Sequence, residues 1–176
     1  MLRSELSVVV PVKEDANIVC RFRDHHLQLL STSQVIVVDS GGGKDLEPYS
    51  RTYIEALSDE PMHEARKRGI LLAEAKLTLN LDVDTLVPFE YPQAAISLLE
   101  KNSDVAVVAI DYEFPHCQGH LAFGTSVART EILKQLYDWR PGKGAPCECV
   151  YMWAKFRQQG FKIDTLPFRA RHIKLT

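Results

Sequence analysis

Residues 77–85 read Leu77-Thr78-Leu79-Asn80-Leu81-Asp82-Val83-Asp84-Thr85, a short β-favouring run that ends on two carboxylates. Leu77 to Leu81 reads as a strand, so Asp82 and Asp84 stand at its carboxyl end. In open α/β sheets ligands bind in the crevice beyond those ends, and residues two apart on an extended chain point to the same side. The pair is therefore expected to converge on one space. Like charges held that close repel, and a hard divalent cation sharing their oxygens relieves the repulsion. The plain alternative is a pair of solvated turn aspartates. Placement directly after a strand, in a chain that alternates strands with helices, favours the cation.

Working outward from that stretch, the alternation holds in both directions. Gln34 to Asp39 (QVIVVD) is an apolar run without alternation, as expected of a strand covered on both faces, and it ends in the loop Ser40-Gly41-Gly42-Gly43. Before it, Ser7 to Val12 (SVVVPV) reads as a strand and about Asn17 to Leu30 as a helix. From about Pro61, the run HEARKRGILLAEA has helical spacing and leads to the strand at Leu77. On the other side, Glu90 to Lys101 reads as a helix and Asp104 to Asp111 as a buried strand. Leu121 to Ala128 reads as a strand interrupted by Gly124, and Thr130 to Tyr137 as a helix. A loop RPGKGAPC, a helix from about Glu148 to Gln159 and a strand from Phe161 to Leu166 complete the order. The pattern predicts a single α/β domain with a mostly parallel central sheet and helices on both faces.

Composition sets outer bounds on function. At 176 residues the chain is one domain's worth, and a formal charge of −2 gives no bulk attraction to nucleic acid or to an anionic membrane. An anionic ligand must then be held locally. No apolar run approaches the length of a transmembrane segment, and Met1 to Val12 lacks a signal-peptide pattern, so a cytoplasmic protein is expected. Cys20, Cys117, Cys147 and Cys149 have neither the density nor the spacing of a disulfide scaffold or a structural zinc site, and reduced thiols are expected.

Four segments, SVVVPVKED, VIVVDSGG, EARKRGILLA and LNLDVDT, resemble in content and order the motifs of nucleotide-diphosphate-sugar glycosyltransferases of the GT-A (Rossmann-like) type, family 2 in particular. The resemblance implies transfer of a hexosyl group from a UDP- or GDP-sugar to the hydroxyl of a glycan, protein or lipid acceptor. It implies a donor-binding half at 1–84 and an acceptor-side half at 85–176. Pro11, Val12, Lys13, Glu14, Asp15 and Asp39 would border the nucleobase and ribose, together with Asp82 and Val83. The bland alternative for Asp39 is a turn cap before the glycine run. Arg66, rather than Arg68, would reach the diphosphate, where a guanidinium fork suits phosphate oxygens. Asp84, Asp82 and His172 would hold Mn²⁺ or Mg²⁺, which stabilises the charge developing on the diphosphate leaving group. Gly124 would let a sugar approach the backbone on the acceptor side.

The resemblance breaks at Cys149, which stands where many family 2 enzymes carry the aspartate that serves as base. Glu148 is then the candidate catalytic residue, with Asp111 as the alternative, or no enzymic base at all. The opening PVKED and the late His172 resemble the retaining mannosylglycerate synthase type, whereas VVDSGG and the Glu148 helix resemble the mostly inverting family 2, and inversion is favoured. Trp153, at helical spacing with Val150 and Phe156, reads as core.

Two other classes share these features. A sugar-nucleotide-forming nucleotidyltransferase would place its glycines after the first strand, and here they follow the second. A non-catalytic nucleotide-sugar-binding module of the same fold would keep the metal site without turnover. A phosphate-binding P-loop is excluded because SGGGKD has Asp45 where a Ser or Thr should follow the lysine, and no G-x-G-x-x-G fingerprint is present.

Overall fold

β1 (Leu6–Val12) is buried along its whole length, because it runs parallel between two neighbours, β2 (Gln34–Asp39) and β4 (Leu77–Asn80). The computed structural model describes residues 5–57, 59–113 and 121–173. Successive β1 side chains serve opposite layers: Val8, Val10 and Val12 pack with Phe22 and Leu30, while Val9 packs with Ile36 and Ala73. This two-sided burial is why these strands are apolar runs and not alternating ones.

The eight strands form one sheet in the order β3-β2-β1-β4-β7-β6-β8-β5. β3 (Thr52–Glu55) extends the parallel half beyond β2, and β7 (Val127–Arg129) pairs antiparallel with both β4 and β6 (Val105–Tyr112). β8 (Lys162–His172) runs parallel to β6, then pairs antiparallel with β5 (Thr85–Leu86). Helices α1 (Ala16–Thr32) and α3 (Tyr91–Lys101) share one core with β1 and β2. On the opposite face α2 (Met62–Leu72) meets α4 (Thr130–Leu136) and α5 (Glu148–Gln158). The single α/β domain with helices on both faces is thus the predicted one. Among the described residues no helix is long and apolar enough to cross a membrane.

Three local readings are corrected. Leu121 to Ala128 is not one interrupted strand: Phe123–Thr125 forms a 3₁₀ turn and only Val127–Arg129 joins the sheet. The final strand continues past Leu166 to His172, because pairing with β5 supports it beyond the apolar stretch. Asp82 and Asp84 do not lie on an extended chain, since the amide of Thr85 donates to the carbonyl of Asp82 at 3.0 Å and closes a turn. β3 and β5 are absent from the sequence reading. Cys20 and Cys147 are free thiols, and Cys117 lies outside the described residues.

Candidate active site

The turn after β4 is fixed from both flanks. The amide of Leu81 donates to the carbonyl of Val9 at 3.0 Å, and the amide of Asp82 to that of Gly124 at 3.1 Å. The carboxylate of Asp82 lies directly over Gly124, where an added Cβ would stand 1.8 Å from Oδ2. Gly124 therefore makes room for Asp82, a requirement distinct from the close sugar approach expected of it. Asp84 is tied instead to the end of β8. Register pairs Thr85 with His172, the amide of Ile173 donates to the carbonyl of Asp84 at 2.7 Å, and His172 Nδ1 comes within 3.3 Å of Asp84 Oδ2.

The two carboxylates thus have different neighbours. Asp84 faces His172, and Asp82 accepts a hydrogen bond of 2.6 Å from Nη2 of Arg66. Arg66 projects from α2, is only 4% exposed, and lies with its guanidinium 5.9 Å from the ring centre of Phe123. Its Nε is 3.0 Å from Oε1 of Glu148, an ion-pair contact not aligned as a hydrogen bond, and Nη1 has no hydrogen-bond partner among the described residues. Burial opposes its charge, but the Asp82 and Glu148 carboxylates outweigh that and raise its pKa well above the ordinary guanidinium value. Glu148 opens α5, and its Oε1 also accepts the hydroxyl of Tyr137.

Arg66, Asp82, Asp84, Glu148 and His172 line one cavity of about 340 Å³, with Glu14, Tyr112, Cys147 and Cys149 among its other walls. It contains Glu14, Arg66, Asp82, Val83, Asp84, Gly124, Glu148 and His172 of the residues expected from sequence. Val83 is 2% exposed and belongs to the core, so little more than its backbone is presented. Pro11 and Val12 are buried in β1, and Lys13 is exposed. Asp15 caps α1, its Oδ1 accepting from the amides of Asn17 and Ile18 at 2.9 and 3.2 Å. Asp39, beside Val12 in register, accepts at Oδ1 from the amides of Gly41 and Gly43 at 2.8 and 3.0 Å, while Oδ2 takes the hydroxyl of Tyr53. Its carboxylate therefore shapes the glycine loop. That loop lies tightly on the β1–α1 connection: Gly42 has φ +86° and its Cβ would fall 1.9 Å from the carbonyl oxygen of Glu14. Arg68 is away from the cavity and pairs with Glu60 at 2.6 Å, and Asp111 pairs with Arg169 at 2.7 Å. Trp153 is core, as read, its indole donating to the carbonyl of Leu121 at 2.7 Å.

Tyr137, Tyr112 and Ser40 were not singled out from sequence. The ring of Tyr112 packs 4.7 Å from that of His172. Ser40, next to Asp39, has a buried hydroxyl with no partner among the described residues. A larger cavity of about 560 Å³ lies between α1 and α3, lined by His25, His26, Val87 and Phe89 among others. Its histidines both bind the backbone of Val87, and its described lining holds one carboxylate, Glu90, against four in the smaller cavity.

Fit to a divalent cation can be judged from the donors present. Among the described residues no three His, Cys, Asp or Glu side chains gather as a ready cation site. Asp84 Oδ2 and His172 Nδ1, at 3.3 Å, are nevertheless spaced like neighbouring corners of an octahedron, which lie about 3 Å apart at the usual bond lengths. An oxygen and an imidazole nitrogen suit Mn²⁺, and a diphosphate could supply further ligands. The residues fit a cation shared with a ligand rather than one caged by protein.

Solved structures share this fold. S. aureus TarS superposes with a TM-score of 0.68 at 16% identity, over 96% of this chain and 60% of that one. Mannosyltransferase PcManGT from Pyrobaculum calidifontis, solved with GDP-Man and Mn²⁺, gives 0.74 at 18% identity over 94% and 55%. Glucosyl-3-phosphoglycerate synthase from Mycobacterium tuberculosis, solved with phosphoglyceric acid, gives 0.69 at 20% identity over 96% and 72%. At these identities the likeness is one of fold, and the fold is GT-A. The present chain spans little more than half of TarS and of PcManGT. No protein-family model matches the chain, and no curated protein sequence matches it.

Proposed function

We propose that this chain is the catalytic core of a glycosyltransferase that moves a hexosyl group from a UDP- or GDP-sugar to the hydroxyl of a glycan, protein or lipid. The observation that carries the reading is the cavity beyond the ends of β1 and β4, where a paired Asp84 and His172 face a buried Arg66 held by Asp82 and Glu148. In an open α/β sheet that is the ligand crevice. The GT-A fold, and a neighbour of that fold solved with GDP-Man and Mn²⁺, support the same assignment.

Residues 1–84 would then carry the donor, and 85–176 the acceptor side together with His172. Ser40 and the loop that Asp39 organises would face the nucleoside, and Arg66 would add positive charge beside the diphosphate. Asp84 and His172 would hold Mn²⁺ or Mg²⁺, with Asp82 next to them. The cation supplies positive charge that stabilises the diphosphate as it leaves. The sugar–phosphate bond breaks with its electron pair going to the diphosphate oxygen, and a new bond forms between the anomeric carbon and the acceptor oxygen. In the inverting course that we favour, the acceptor's proton passes to Glu148.

Release of nucleoside diphosphate from a panel of UDP- and GDP-sugars, with and without Mn²⁺, tests the proposal. Turnover with at least one donor is expected to need the cation and to be lost in Asp84→Ala. A chain that binds a sugar nucleotide in thermal-shift assays yet releases no diphosphate from any donor is a binding module, and the catalytic reading fails.

A further inference from the structure

The two carboxylate oxygens of Glu148 have different surroundings. Oε1 accepts the hydroxyl of Tyr137 and lies 3.0 Å from Nε of Arg66, whereas no described residue engages Oε2. Glu148 nevertheless lines the cavity, with its side chain 17% exposed. Neither group on Oε1 gives up its proton near neutral pH. Burial raises the Tyr137 hydroxyl far above its ordinary value, with Glu148 adding to the rise and Arg66 opposing it. Arg66 is held charged by its two carboxylates. Oε1 is thus occupied by one hydrogen-bond donor, Tyr137, and one cation, Arg66, and Oε2 is the oxygen left for a substrate.

Tyr137 is itself held rigidly. It caps the C-terminal end of α4, and its ring stacks on Phe123 at 5.7 Å with an interplanar angle of 18°. Phe123 is braced by Trp153 at 5.5 Å, and the same Phe123 ring faces the Arg66 guanidinium. The Tyr137 hydroxyl also reaches the carbonyl of His63 at 3.4 Å, which ties it to α2. One aromatic stack therefore lies against both groups that face Oε1. Tyr137 does not line the cavity.

We propose that Tyr137 is a positioning residue for the transfer reaction: with Arg66 it clamps Oε1 of Glu148, leaving Oε2 to receive the proton of the acceptor hydroxyl. The inference rests on the transferase reading above. Tyr137 keeps its own proton throughout. As the bond from acceptor oxygen to anomeric carbon forms and the sugar–phosphate bond breaks, the hydroxyl proton moves to Oε2 and the electron pair leaves on the diphosphate. Without the phenol, Glu148 is held at one point only and can swing away from the acceptor. Misplacement of a catalytic group by about 1 Å costs up to about 100-fold in rate. Donor binding is spared, because Tyr137 lies behind Glu148 and not against the cavity.

The test uses the full chain with Mn²⁺, UDP-glucose and GDP-mannose as probes, and water as acceptor, following release of nucleoside diphosphate. Tyr137→Phe keeps the ring and its stack, and it is expected to lower kcat about 10- to 100-fold with the donor KM changed by less than about twofold. Adding Tyr137→Phe to Glu148→Gln should lower kcat no further than Glu148→Gln alone. Tyr151→Phe removes a hydroxyl that donates to Asp138 at 2.9 Å, away from the cavity, and should leave kcat unchanged. A thermal-unfolding cycle of Tyr137→Phe with Glu148→Gln, which needs no turnover, should be non-additive. Unchanged kcat in Tyr137→Phe, a loss confined to KM, or additive effects in both cycles overturns the proposal while wild-type turnover upholds the transferase reading. A wild-type chain that releases no diphosphate overturns both, so the wild-type rate tells the two failures apart.

Discussion

Arg66→Met would remove the one cation paired with Asp82 and Glu148 among the described residues while keeping much of the side-chain volume. Two partly buried carboxylates would then lose their counter-charge, with Glu148 keeping only the Tyr137 hydroxyl. Breaking a buried ion pair by deleting one partner costs about 3–5 kcal/mol. The Asp82 and Glu148 side chains are 28% and 17% exposed, so water retains some access and the lower end applies. A loss of about 3 kcal/mol in a domain of this size lowers Tm by about 6–12 °C. Scanning calorimetry and urea unfolding would measure it, with the urea m-value confirming that the unfolded state is unchanged. The electrostatic origin has its own check. Adding Asp82→Asn and Glu148→Gln to Arg66→Met removes the stranded charges and should recover at least about half of the loss, since an ion cluster replaced by neutral groups is often nearly neutral. An Arg66→Met protein melting within about 2 °C of wild type, or a triple variant no more stable than the single one, would refute the reasoning.

Gly124→Ala places a methyl group 1.8 Å from Oδ2 of Asp82, so the carboxylate must move by roughly the 1.6 Å needed for ordinary contact. The expected result is a loss of stability of about 1–3 kcal/mol, with Mn²⁺-dependent turnover reduced at least about 10-fold, and wild-type turnover would rule out the seating role given to Gly124. Acid should destabilise the protein through His26, whose pKa is lowered by burial, with His25 adding to the effect, from 6.5 to about 3. The unfolded chain then binds a proton that the folded chain refuses: stability is whole well above pH 6.5 and is lost as pH falls through 6.5 toward 3, by about 3 kcal/mol between pH 7.5 and 4.5. His26→Gln should flatten that slope in urea titrations at several pH values, and an unchanged slope would rule out His26 as its source.

The parallel half was legible because its signal is burial on both faces: QVIVVD and SVVVPV can hardly be read otherwise. β3 was missed because Thr52–Glu55 is half-buried at the sheet edge and too short to set a pattern. The end of β8 was missed for a different reason. Pro167 and the basic residues after it read as a tail, and only pairing with β5, itself two residues long, makes them a strand. The cavity residues fared in a similar way. Arg66, Asp82, Asp84 and Glu148 are visible because charge in a helix or after a strand stands out. Tyr137 looks like one more apolar helix position until the fold brings its hydroxyl to Glu148.

The turn at Asp82 to Thr85 gives this site its logic. Both aspartates line the same cavity, as expected of them, yet the turn gives each its own partner. Closing the turn sends them to different partners in different parts of the chain. Asp82 is tied through Arg66 to α2 and α5, whereas Asp84 is tied through β5 to His172 at the end of β8. The first tie is a buried ion cluster backed by an aromatic stack, rigid and independent of any ligand. The second is a carboxylate and an imidazole 3.3 Å apart, the pair to which the proposed function gives the cation. A sequence motif that reads as one cation clamp thus divides between a buried ion cluster and, under the proposed function, a cation edge. Disrupting the first should be felt in stability before chemistry, and disrupting the second in chemistry alone.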